Sequence, residues 1–458
     1  MGLCRAKLPF LVQQGGTWGP GLCSNTVDTL GKKCRDQNQH VYMYKKRSKV
    51  LIFAMCDDIN GVAKCGLESI ALNAFITSQI ELKKLKFHTP DKDGKSKCHK
   101  LHVGKMHANC PQLKVHGTTM EDVSYDTYLG EIISADGKNT RNIKKRISRG
   151  LGAINQIMNL VSLINLGEYY FDIVVLLRES LFLNSILTNA EIWYNITKEE
   201  LKELEDLDVT LLRKIFNAQR STPKEAYYLE LGILSIGTII KKRRLNYFHY
   251  LITRDKNEML YSFFITQFHN PCQGDWTEQA KLDFEDFGID LDIETLQRKS
   301  KESFKTDTKL KAAEYELERL LVIKEKHTKM QNLSYTELKM QGYLKMKGMS
   351  KDIAQSLFRW RVRMAPFGQN FRGGQMSIIC PICNNHADCQ SLMGSCKVLM
   401  NEIDTRFEIE DIYKEQIDLE TGRKVIKIEE ARKKIIELKS LPSGPSARLI
   451  ASAAVIIA

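Results

Sequence analysis

Apolar residues are spaced along this chain in two ways. Up to about residue 135 they come in short dense runs. YMYKKRSKVLIFAM, rich in Tyr, Val, Ile and Phe, predicts a strand; KLHVGK and DTYLGEIIS predict two more, the second closed by a turn at ISADG. Helical spacing enters there in residues 67–85, where Leu72, Phe75, Ile76 and Ile80 share one face. The opening QQGGTWGPG is glycine-rich and leads into a helical CSNTVDTLGKKC, and FHTPDKDGKSKC reads as a loop from its Pro, Gly and Asp content.

From Asn139 to about Met330 the period is helical almost throughout. NTRNIKKRISRGLGAINQIMNLVSLI opens this region. ITKEELKELEDLDVTLLRKIF carries acids toward its start, as the helix dipole favours, and STPKEAYYLELG has Pro223 early and Gly232 at its end. KKRRLNYFHYLITR is a second basic helix, and residues 290–330 are charged with thinner apolar faces. Further on, FRWRVRMAPFGQNFRGG alternates Arg with aromatic and aliphatic residues, and CPICNNHADCQSLMGSC follows it. The last stretch is charged and helical, then ends in LPSGPSARLIASAAVIIA, which reads as a loose tail. The expected fold class is α+β with helix in the majority, in four segments: 1–135, 136–330, 331–400 and 401–458.

Composition narrows the partners. At 458 residues, with 43 % hydrophobic and 27 % charged, the chain is globular and has room for several domains. A net charge of +13 favours polyanions such as nucleic acid. Most of the twelve cysteines are scattered, which suits a reducing compartment; an intracellular protein of nucleus or cytoplasm is expected, not a secreted one. MGLCRAKLPFLVQQGG lacks the apolar core of a signal peptide, and Ala6 breaks the myristoylation pattern. ARLIASAAVIIA is too short to span a bilayer, so no membrane partner is expected. No P-loop, Gly-x-Ser-x-Gly or dinucleotide fingerprint is present, which leaves NTPase, hydrolase and dehydrogenase readings without support.

The sharpest chemical feature is AMCDDING. A strand, a tight turn and a return strand would aim Asp57 and Asp58 off one hairpin tip. Neighbouring carboxylates repel, and either water at an exposed turn or a hard cation in a cleft offsets that; oxygen-only ligands suit Mg²⁺ or Mn²⁺. Upstream, Gln14, Gly15 and Gly16 form a turn whose glycines allow the backbone close to a base pair or phosphate. Downstream come Lys95 and Lys97 in GKSKCHKL, then Tyr128-Leu129-Gly130, then Arg141, Lys144, Lys145, Arg146 and Arg149 with no acid between them.

In this order the motifs resemble the reverse transcriptase of non-LTR (LINE-like, jockey-type) retrotransposons, over roughly residues 10–400. The resemblance implies a partial palm of antiparallel strands and helices in 1–135, a helical thumb or connection in 136–330, an Arg/aromatic segment with a Cys cluster in 331–400, and a charged helical tail in 401–458. It implies an RNA-directed DNA polymerase, a nucleotidyltransferase using Mg²⁺ or Mn²⁺ on an RNA/DNA primer–template. Asp57 and Asp58 would be the catalytic metal carboxylates. Gln14, Gly15, Gly16, Lys95 and Lys97 would lie at the nucleotide and template, and Arg141, Lys144, Lys145, Arg146 and Arg149 would grip phosphates. Met55 stands where the family has an aromatic residue. The family also needs an earlier acidic motif and fingers, and MGLCRAKLPF holds no Asp or Glu, so a truncated, by itself inactive polymerase is expected, completed if at all by a missing half or another element-encoded protein. A nucleic-acid-binding remnant without catalysis and a helical structural protein are the alternatives.

Cys380-Pro-Ile-Cys383 is a half-site for structural Zn²⁺. In the family a His and a Cys complete it. Cys396 fits, Leu392 stands where His is expected, and His386 or Cys389 would have to substitute. FRWRVRMAPFGQNFR would then supply Arg and aromatic contacts to nucleic acid, against simple core packing of Phe358 and Trp360.

Overall fold

The computed structural model describes residues 41–43, 46–48, 52–55, 58–62, 66–82, 99–101, 112–128, 130–370, 378–390, 393, 396–403, 407–414 and 416–440. Among these residues it is α+β and mostly helical, at 64 % helix with a few short strands. No helix among these residues is long and apolar enough to cross a membrane.

The strands lie early in the chain and pair two by two. The run expected as one strand is divided into β1 (Val41–Met43), β2 (Lys46–Ser48) and β3 (Ile52–Met55). β1 folds back on β2, and β3 pairs antiparallel with β4 (Asp58–Gly61), Met55 facing Asp58. The charged KRS segment of β2 belongs to a hairpin of its own, which dense apolar flanks conceal in the sequence. β5 (His99–Leu101) runs parallel to β8 (Glu121–Val123), around the β6–β7 hairpin (Lys114–Val115 and Thr118–Thr119). β9 (Tyr125–Tyr128) and β10 (Glu131–Ser134) close a further hairpin. Helix α1 (Gly66–Leu82) packs on β4 through the predicted face, Leu72 and Ile76 buried and Phe75 half-buried. A Cβ on Gly61 would come within 3.1 Å of Leu72, so glycine lets helix and strand lie close.

Helices then follow with few interruptions: α2 (Thr140–Leu163), α3 (Tyr170–Leu177), a π-helical turn at Arg178–Leu183, α4 (Lys198–Phe216), α5 (Lys224–Leu231), α6 (Ile236–Ile252), α7 (Met259–His269), α8 (Trp276–Asp286), α9 (Ile293–Arg298) and α10 (Lys301–Lys326). α11 (Lys351–Arg361), α12 (Lys397–Ile403) and α13 (Leu419–Ser440) complete the order. Their ends are written locally. Thr197 and Glu200 form a reciprocal capping box on α4, Arg213 and Lys214 occupy its last turn, and Asn217 ends it in the left-handed conformation. Gly232 ends α5 at φ +62°, where a Cβ would run into the Lys339 backbone at 2.1 Å.

Two hydrophobic clusters fill the helical body. One gathers side chains from Ile143 in α2 to Ile428 in α13, so the core is continuous past residues 330 and 400. The other lies between α6, α7, α8, α9 and α10. FRWRVRM belongs to the first: Phe358, Trp360, Val362 and Met364 are fully buried, Arg359 pairs with Glu429, and Trp360 Nε1 donates to the same carboxylate. Phe358 and Trp360 thus follow the core-packing alternative and their rings are not offered to nucleic acid, while Phe371 and Arg372 lie outside the described residues. Residues 441–458, read as a loose tail, lie outside the described residues.

Buried arginines pin this packing. Arg178 donates from Nε and Nη2 to the two Asp208 oxygens at 2.8 and 2.6 Å, and Tyr228 donates to the same carboxylate at 3.2 Å. Arg361, 2 % exposed, donates to Glu230 at 2.9 Å and to the Ile412 carbonyl at 2.6 Å, while Tyr335 donates to Glu230 at 2.7 Å. Removing one partner strands the other charge, so Arg361→Met should cost about 3–5 kcal/mol in urea unfolding. The paired change with Glu230→Gln should cost less than the sum of the two singles. Simple addition of the two costs would show that they do not act as a pair.

Candidate nucleic-acid interface and cysteine centre

The β3–β4 hairpin has two residues, Cys56 and Asp57, between its first facing pair. Asp58 opens β4, which agrees with a strand–turn–strand around the acidic pair. Asp57, Gln14, Gly15, Gly16, Lys95 and Lys97 lie outside the described residues, so the structure neither gathers nor separates the polymerase-like set.

The Tyr-Leu-Gly motif has a visible physical cause. Tyr128 faces Glu131 across a two-residue turn, and Gly130 holds φ +85°, which a side chain would resist. That hairpin delivers the carboxylate of Glu131 to the side of α2. Asn142 and Arg146 both donate to it closely, and Asn189 Nδ2 donates at 3.0 Å. The start of α2 is fixed further by Asn139 Nδ2 donating to the Tyr194 carbonyl at 2.7 Å and Thr140 Oγ1 to Glu200 at 2.6 Å. Lower down, a Cβ on Gly150 would meet Leu207 at 2.5 Å and Ile186 at 2.6 Å, so α2 crosses its neighbours at glycine distance.

This anchoring sorts the predicted cations. Arg146 falls on the stripe of Ile143, Gly150, Ala153 and Ile157, is 2 % exposed, and is ion-paired with Glu131. It is a buried strut and not a phosphate contact. Arg141 and Lys144 are exposed on the side of the helix away from Arg146, while half-buried Lys145 and exposed Arg149 lie along its flank, in line with Arg141 at four-residue spacing. Arg141 lies over the Tyr125 ring at 4.5 Å, and none of these four enters an ion pair among the described residues. The first turn of α2 carries no acid, so the positive end of the helix dipole adds to the same field. Sequence reasoning missed Glu131. Its signal was an acid directly after a hairpin glycine, opposite an Arg that falls on an apolar stripe.

The second feature is thiol-rich. The sulfurs of Cys380, Cys383 and Cys396 all lie within 4.8 Å of one another, with Cys380 and Cys396 buried. Cys380 N–H donates to the His386 carbonyl at 2.8 Å and Asn384 N–H to the Cys380 carbonyl at 2.9 Å, a knuckle made possible by Asn384 at φ +57°. Lys439, near the end of α13, donates to the carbonyls of Pro381 and Ile382. Asp388 accepts from Gly368 N–H at 2.6 Å and Arg432 at 2.7 Å, and so ties the knuckle to α13. Burial pushes the Cys396 thiol up to about 11. Burial opposes ionisation of Cys383 too, but backbone N–H groups of Asn385 and His386 bring its thiol below the ordinary value.

Three thiols so grouped could hold a metal such as Zn²⁺. No fourth Cys, His, Asp or Glu atom among the described residues joins them at that spacing; Leu392 lies outside those residues. Nε2 of His386 is buried without a hydrogen-bond partner, a donor still to be used.

No family model matches the chain, and the search of curated proteins finds no match. What fold and geometry define by themselves is a mostly helical α+β protein with an outward cationic helix face and a three-thiol centre.

Loading the thiol-reduced chain with Zn²⁺ should retain about one equivalent after desalting, and Cys380→Ser or Cys396→Ser should abolish retention. Equal zinc content in the serine variants would place the metal elsewhere.

Proposed function

We propose that the chain is a polymerase-type nucleic-acid-binding module of the non-LTR reverse-transcriptase kind, in which α2 grips the backbone of a primer–template. The observation that supports it best is the exposed face of α2, where Arg141, Lys144, Lys145 and Arg149 stand together while Arg146 is turned inward onto Glu131. Charges of one sign with no acidic partner suit phosphates and read no sequence. Gly152 continues the same face with open space where a Cβ would be, and Asn155, Gln156 and Asn159 follow it, all exposed. A glycine exposed in mid-helix costs about 1 kcal/mol against alanine, and close approach of a sugar–phosphate backbone gives that cost a purpose.

The implied reaction is attack of a primer 3′-hydroxyl on a nucleotide α-phosphate, with pyrophosphate leaving. Mg²⁺ or Mn²⁺ on Asp57, Asp58 and a further carboxylate would supply charge against the developing negative oxygens. Gln14, Gly15 and Gly16 would border the nascent base pair, with Lys95 and Lys97 near phosphate. Zinc at Cys380, Cys383 and Cys396 would be structural, holding the knuckle on α13. The reduced thiols suit an intracellular site, in nucleus or cytoplasm.

Phosphate gripping by α2 asks nothing of Asp57 and Asp58, which favours binding without catalysis as the second reading. Nucleotide incorporation on an RNA template that Asp57→Ala abolishes would select the polymerase. Binding itself is tested by fluorescence anisotropy on an RNA–DNA primer–template across a salt series. Changing Lys144, Lys145 and Arg149 to Gln should weaken binding at least about tenfold and flatten the log–log salt slope by about 2–3. An unchanged slope would remove α2 from the interface.

A further inference from the structure

Helices α6 and α10 pack antiparallel: Thr238 meets Glu316 near one end, and His249 stacks on Phe304 at 4.3 Å near the other. Between the two helices, beside that stack, opens a small cleft of about 40 Å³. Its floor is the His249–Phe304 stack, with His249 Nε2 held between the Leu296 and Lys299 carbonyls at 3.1 and 3.2 Å. Asn246, Tyr250 and Thr253 of α6 form one wall, and Lys301 and Lys305 of α10 the other.

Cations extend beyond the cleft. Lys301, Lys305 and Lys309 recur every fourth residue, are exposed, and enter no ion pair among the described residues. Like charges at that spacing destabilise a helix by a few tenths of a kcal/mol per pair. Lys242 of α6 sits close enough to Lys309 to feel it. Burial, then the charges of Arg243 and Lys309, keep its ammonium below the ordinary lysine range against the pull of Glu179. An anion would relieve all four lysines at once.

Two further groups say what kind of anion. Asn246 Oδ1 is buried with no hydrogen-bond partner, an acceptor that a ribose hydroxyl or a base N–H would satisfy. Tyr250, 38 % exposed at the cleft wall, stacks on Tyr247 at 5.8 Å and lies under the Arg254 guanidinium at 5.0 Å. Arg254 is also paired with Glu258 at 2.8 Å, which holds its plane in place. Aromatic and guanidinium planes beside a cationic groove are the parts with which proteins hold unpaired bases.

We propose that the α6–α10 cleft is a track for single-stranded nucleic acid, with Lys242, Lys301, Lys305 and Lys309 on successive phosphates and the Tyr250–Arg254 stack taking an unpaired base. Lysines one helical turn apart rise about 6 Å, close to the separation of neighbouring phosphates on an extended strand. The site is separate from α2 and stands whether or not α2 binds duplex.

The experiment uses the full chain, fluorescein-labelled oligo(dT) and a blunt DNA duplex, in a salt series. Changing Lys301, Lys305 and Lys309 together to Gln should weaken oligo(dT) binding about tenfold and flatten its salt slope by about 2, at roughly 0.7 per phosphate contact, while changing the same three to Arg should leave both near wild type. Duplex affinity should hold in both variants, whereas the Lys144/Lys145/Arg149→Gln variant run beside them should move duplex affinity alone. Wild-type oligo(dT) binding by the Gln variant would overturn the track. So would equal loss in the Gln and Arg variants, or loss of poly-glutamate binding with oligo(dT) binding intact, which would make the cleft a peptide site.

Discussion

The carboxylate of Glu131 sets the rotation of α2. It accepts hydrogen bonds from Asn142, Arg146 and Asn189 and so neutralises the guanidinium that the helical period places on the buried stripe. Without that acid, burying Arg146 would cost several kcal/mol, and turning the helix to expose it would bury the cations of the other face. The β9–β10 hairpin, the left-handed Gly130 and the close crossing at Gly150 all serve this placement. The strand-bearing segment is thereby joined to the helical body by charge at the same point where the cationic surface is made.

The same device recurs through the fold. Arg178 with Asp208, Arg244 with Asp283, Arg361 with Glu230, and Arg432 with Asp388 are buried pairs that fix how helices meet. A chain with a net charge of +13 is thus divided into arginines spent on internal acids and cations left facing outward. The outward set includes the cations of α2 and those along α10. The cysteine knuckle belongs to the same scheme, since Asp388, Arg432 and Lys439 hold it against α13.

Local signals were legible in the sequence. The α1 face of Leu72 and Ile76, the acidic start of α4, the Gly232 stop and the return of the chain after the Asp pair depend on neighbours a few residues away. Long-range partners were not legible. Arg146 reads as one of five equivalent cations until Glu131 is brought beside it. FRWRVRM leaves nucleic-acid contact and core packing both open until α13 is brought over Phe358 and Trp360. Residues 290–330 read only as charged and helical; that Lys301 and Lys305 face a wall of α6 depends on how the two helices pack. Cys380, Cys383 and Cys396 come together as their motif suggests, whereas the fourth ligand depends on how side chains meet in space.

Mass-spectrometric footprinting of arginine and lysine in the full chain, with and without an RNA–DNA primer–template, tests the role of Glu131 most directly. If Glu131 sets the phase of α2, Arg141, Lys144, Lys145 and Arg149 react in the free chain and are protected by nucleic acid, while Arg146 stays inert in both. Modification of Arg146 in the free chain, or four outward cations indifferent to nucleic acid, would contradict it.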